Sequence, residues 1–106
     1  MADVAKQMYL GRPGTTDTLL YTAPAAGAIV RSVHIANETG TAATITLAIK
    51  AGGALAAGTH FLSAFSVPAN GTYDWSGFKA LGNVETIRAL QGTTSALTVS
   101  VDGVEQ

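Results

Sequence analysis

The chain has 106 residues, of which 47% are hydrophobic and 12% charged, with a formal net charge of −1 and no cysteine. That length predicts one domain, and the absence of cysteine excludes disulfide frameworks, thiolate zinc sites and thiol nucleophiles. Six Lys and Arg against seven Asp and Glu lack the basic excess of a nucleic-acid binder or of a patch for anionic membranes, so neither is an expected partner.

No apolar run approaches the ~18 residues of a membrane-spanning helix. Met1-Ala2-Asp3-Val4 lacks the charged-then-apolar layout of a signal peptide, and the expectation is a chain made in a cytoplasm without a leader. A charged fraction of 12% is roughly half that of an ordinary soluble domain, leaving little charge to hold neighbours apart. Nineteen alanines against three Phe, three Tyr and one Trp make the core thin, and self-association is a natural supplement.

Residues 1–16 form either a first strand through Met8-Tyr9-Leu10 or an arm packing on a neighbouring chain, so Met8, Tyr9 and Leu10 are candidate arm contacts. Residues 17–106 read as one β-sandwich domain, because apolar residues alternate with a period of two and helical spacing is hard to find. The stretch 17–22 offers Leu19 and Leu20 to a core before the Pro24 turn. Within 28–36, Val33 and Ile35 form an inward row, and the adjacent Ile29 and Val30 predict a bulge or change of facing near Arg31. In 43–50, Ala43, Ile45, Leu47 and Ile49 point one way while Thr44, Thr46, Ala48 and Lys50 point the other. The Ala/Gly-rich stretch 53–58 reads as a loop. In 59–67, Phe61, Phe65 and Val67 share a face, and Pro68 closes the strand because it has no N–H for a ladder. A shorter aromatic strand covers 71–78, residues 85–91 present Ile87 and Ala89, and 97–102 turns Leu97, Val99 and Val101 inward until Gly103 breaks it. Turn clusters at 23–27, 37–40, 52–53, 68–71, 82–83 and 92–94 separate these elements. About seven or eight antiparallel strands at this spacing predict an all-β sandwich of the jelly-roll kind.

Chemistry is sparse. His34 and His60 cannot make a three-histidine zinc site, so no metal or other cofactor is expected. No Gly-x-Ser-x-Gly elbow accompanies the serines, the carboxylates lack calcium-loop spacing, and no enzyme is expected. Tyr73 and Trp75 share a strand face and could form a flat platform for sugar rings, with Asn70 and Asn83 as loop contacts. Alternatively, Trp75 is simply the largest core residue of a small sandwich. Outward Thr, Ser, Ala and Gly carry little rotamer entropy, so a surface made of them is easily buried against a neighbour.

The run Tyr21-Thr22-Ala23-Pro24-Ala25-Ala26-Gly27-Ala28-Ile29-Val30-Arg31-Ser32-Val33-His34-Ile35-Ala36-Asn37 resembles small structural proteins of tailed bacteriophages, which share a Tyr-Thr-x-Pro-Ala turn, a Val-Lys/Arg-Ser-Ile/Val strand, an Asn and a Thr-rich strand. Ala43-Thr44-Ile45-Thr46-Leu47, Val67-Pro68-Ala69-Asn70-Gly71-Thr72 and Val99-Ser100-Val101-Asp102-Gly103-Val104-Glu105 are similar to later pieces of that pattern. The resemblance spans about residues 17–105 and implies a virion β-sandwich, decorating the head or associated with the tail, with no catalytic residues. The expected partners are a phage major capsid protein or other virion proteins and further copies of the chain, a trimer being favoured. The expected location is the virion after synthesis in the host cytoplasm, and the alternative role is a receptor- or carbohydrate-binding module of the tail.

Overall fold

A computed structural model describes residues 4–51 and 60–105. Among these lie eight strands and no helix: β1 (Val4–Gly11), β2 (Thr18–Thr22), β3 (Ala28–Asn37), β4 (Ala43–Ala51), β5 (His60–Val67), β6 (Thr72–Leu81), β7 (Thr86–Gln91) and β8 (Leu97–Glu105). They form two antiparallel four-stranded sheets, ordered β1-β8-β3-β6 and β2-β7-β4-β5. The chain changes sheet at every connection except β4 to β5, which is the eight-stranded jelly roll. The expected loop at 53–58 lies outside the described residues.

The alternation in β4 and β8 works as period-two patterning requires, because successive side chains leave opposite faces of a strand. Ile45, Leu47, Leu97, Val99 and Val101 are buried completely and meet Val33, Ile35 and Ile87 between the sheets. Each of these side chains adds roughly 1.5 to 3 kcal/mol on leaving water. Ala48 points outward between Arg88 and His60 in register yet is also buried.

Bulges decide the facing of several strands, as expected at Arg31 and against expectation in others. The β3 register shifts between Val30 and Ser32 against both neighbours, which places the irregularity at Arg31. In β2 the extra residue is Leu20, so Leu20 and Tyr21 are buried while Leu19 stays exposed. In β5 two register shifts bring Leu62 to the core beside Phe61. β6 continues through Gly77 to Leu81, well past the expected 71–78.

Gly103 does not end its strand. It lies within β8, opposite Lys6 of β1 and Val30 of β3. A Cβ there would stand 2.0 Å from the Ile29 carbonyl oxygen and 2.7 Å from Met8 Cε. The glycine admits a close approach of neighbouring backbone, a role that an isolated sequence cannot distinguish from a turn signal.

Candidate functional site

Residues 4–11 are the first strand and not a detached arm. β1 pairs with β8 along its length, Met8 is buried in the shared core, and Tyr9 packs against it. Burial holds the Tyr9 phenol above its ordinary range. Only Leu10, 60% exposed, remains free to contact a neighbour. Removing β1 would therefore leave β8 paired with β3 on one side only and uncover the core around Met8.

Tyr73 and Trp75 do share a face, and it is the inner one: they stand opposite Ile35 and Val33 of β3. Across the gap between sheets, Phe61 meets Trp75 edge to face at 5.0 Å and Phe65 meets Tyr73 at 4.9 Å. These four rings join the two sheets along the β5/β6 edge, with geometry favoured by aromatic quadrupoles. Tyr73 and Trp75 lie half-buried between the sheets against the core, so they form no platform on the outer face. Asn70 and Asn83 lie at opposite ends of β6, whose ten residues span roughly 30 Å. The four residues expected to cooperate in a glycan site are not brought together.

The outer face of the β1-β8-β3-β6 sheet instead carries registered rows of mostly short side chains. One row runs Ala5, Val104, Ile29, Ala80; the next Gln7, Asp102, Ser32, Ser76; the third Leu10, Ser100, His34, Asp74. His34 Nδ1 and Asp74 Oδ1 form an ion pair when the ring is protonated. Ser100, His34 and Asp74 are the residue types of a hydrolase triad, but Ser100 Oγ faces Asp102 Oδ2 at 3.5 Å. Ser100 and His34 also sit on inner strands, whose N–H groups serve the ladder, so they supply no oxyanion hole of their own. Among the described residues no group of three or more His, Asp or Glu could hold a metal ion.

All four edge strands contain extra residues relative to their neighbour: Met8 in β1, Leu20 in β2, Phe61 and one near Ala64 in β5, and one at Gly77 or Phe78 in β6. Ala64 adopts φ 46° and its N–H donates to Thr46 Oγ1. Bulged edges oppose strand addition.

Two buried amides, unnoticed as a pair in the sequence, organise one end of the sandwich. Asn37 Nδ2 donates to the Thr41 and Val67 carbonyls, while its Oδ1 accepts from Thr39 N and Oγ1. Gln91 Nε2 donates to the Pro13 and Leu97 carbonyls, and its Oε1 accepts from Ala96 N and Leu97 N. A polar residue closing an alternating apolar strand was the available signal for both. At the other end, the buried Tyr21 hydroxyl donates to Glu105 Oε2. Burial first, then that bond and the nearby carboxylate charge, raise the phenol pKa far above its usual value.

No protein-family model matches the chain, and no curated protein matches it.

Proposed function

We propose that the chain is a non-enzymatic structural protein of a bacteriophage virion, a capsid decoration protein that binds the outer surface of the head and stabilises it. The observation that carries this reading is the combination of an eight-stranded jelly roll with an outer sheet face of short, mostly uncharged side chains and four bulged edges. Such a face loses little side-chain entropy when covered, and the bulges disfavour association through unpaired strands. The ordered similarity of residues 17–105 to small phage structural proteins supports the same reading. Copies meet through faces or loops in a closed oligomer, a trimer on a local symmetry axis of the shell.

The test is electron microscopy of particles assembled with a labelled copy. Label at regular positions over the head is the expected result. Label confined to the tail, or no label on particles, overturns the assignment, and sedimentation of the purified chain as a monomer at high concentration overturns the trimer.

A further inference from the structure

We propose that Asn70-Gly71 is a spontaneous deamidation site that the folded loop pair 37–41 and 68–71 holds closed, so that its modification records local opening of this end of the sandwich. The inference stands apart from the virion reading.

The fold itself calls for this dipeptide. Residues 68–71 form a tight turn in which Gly71 N donates to the Pro68 carbonyl at 2.9 Å, and the third position, Asn70, adopts φ 56°. A positive φ at that position favours Gly or Asn. Position 71 must be glycine for a different reason: a Cβ would stand 2.7 Å from Pro68 Cγ and 3.1 Å from the Pro68 oxygen. An exposed Asn is thus followed by the residue offering least hindrance to attack on its side chain.

The chemistry is an intramolecular acyl substitution. The Gly71 amide nitrogen attacks Asn70 Cγ and loses its proton to solvent base. The bond from Cγ to the side-chain nitrogen breaks, and that nitrogen leaves as ammonia. Water then opens the resulting five-membered imide at either carbonyl, leaving an aspartate or an isoaspartate in place of Asn70. Isoaspartate routes the main chain through an additional methylene, directly before the strand that carries Tyr73 and Trp75.

In the folded chain the attacking nitrogen is engaged as a donor to Pro68, Asn70 N donates to the Thr39 carbonyl at 3.0 Å, and Asn37 N donates to the Gly71 carbonyl at 2.9 Å. The Asn37 side chain further anchors Thr39, Thr41 and Val67. Reaction requires those bonds to open, and its rate then follows the open fraction of the loop pair. Asn37 and Asn83 provide internal references, since Glu38 and Val84 hinder the corresponding nitrogens.

The full chain is incubated in mildly alkaline buffer, folded or in urea, and digested for mass spectrometry. In urea the peptide containing Asn70 should convert before those containing Asn37 or Asn83, and in the folded chain its conversion should be about tenfold slower or more. Asn37→Ala should restore most of the lost rate, and Thr39→Ala serves if Asn37→Ala does not fold. Equal rates with and without urea, or no lead of Asn70 in urea, overturn the proposal. Unchanged protection in a folded variant overturns the assignment of Asn37 and Thr39 as the clasp.

Discussion

At the end of the sandwich that holds residues 12–17, 38–42, 68–71 and 92–96, the loops are tied by amide side chains. Asn37 and Gln91 reach from strand ends into neighbouring loops and satisfy carbonyl and N–H groups that would otherwise be buried without partners. At the opposite end the described loops are tied mainly by backbone groups, Ala23 N to the Glu85 carbonyl and Gly27 N to the Pro24 carbonyl. Glu85 Oε1 accepting from Gly82 N, the Tyr21 to Glu105 hydrogen bond and a close backbone approach at Gly103 complete it. Polar loops cannot be covered by apolar packing, so the first end needs a complete set of donors and acceptors. Where strands pack directly, space is the limiting quantity and a missing side chain is the solution.

Gly103→Ala breaks the second arrangement most directly. Its Cβ would meet a backbone oxygen at 2.0 Å, which no rotamer change relieves, and a loss of about 4 kcal/mol or outright failure to fold is expected. Urea unfolding measures it, and a near-neutral result would show that the strands can separate at little cost. Gln91→Leu tests the amide end at nearly constant volume. Leaving Leu97 N and the Pro13 carbonyl unpaired costs about 3 kcal/mol, a Tm decrease of roughly 15 °C in a domain of this size.

Tyr21→Phe removes about 1 to 2 kcal/mol through the lost bond to a carboxylate, and it has a pH signature. The folded phenol keeps its proton to higher pH than the unfolded one, whose ordinary value is 10.0. Stabilisation is therefore complete below that pH and is lost as pH rises beyond it. Stability curves should show this alkaline decline in the parent and a shallower decline in the variant. His34→Ala should change stability by no more than about 0.5 kcal/mol, because His34 and Asp74 are 50% and 68% exposed and solvent screens the pair. A larger effect in thermal melts would mean the outer face contributes to stability in the isolated chain.

Residues 43–49 and 97–102 were legible as strands because each has one apolar and one small or polar face, and Pro68 was legible as a stop because it comes directly after such a run. The first strand was recognisable only as one of two alternatives, since nothing in Met8-Tyr9-Leu10 says which chain supplies its partner. Tyr73 and Trp75 could be placed on one face of a strand. Whether that face looks outward or toward Phe61 and Phe65 depends on which sheet lies opposite, and this turned a glycan platform into a junction between sheets. Leu19 was expected in the core beside Leu20 but is exposed, and Leu62 escaped notice, for a similar reason: one bulge residue reverses the facing of every later side chain in its strand. Gln91 went unnoticed because its partners, Pro13, Ala96 and Leu97, come from two separate loops.

By itself the sequence determined the class of the fold, the faces of its regular strands and the positions of most turns, since these depend on period-two patterning and local backbone preference. Tertiary structure alone decided the strand order, the bulged edges, the inward facing of the aromatic rings and the need for glycine at 103. Each depends on atoms distant in the chain, and a residue's local propensity contains no information about which backbone will lie against it.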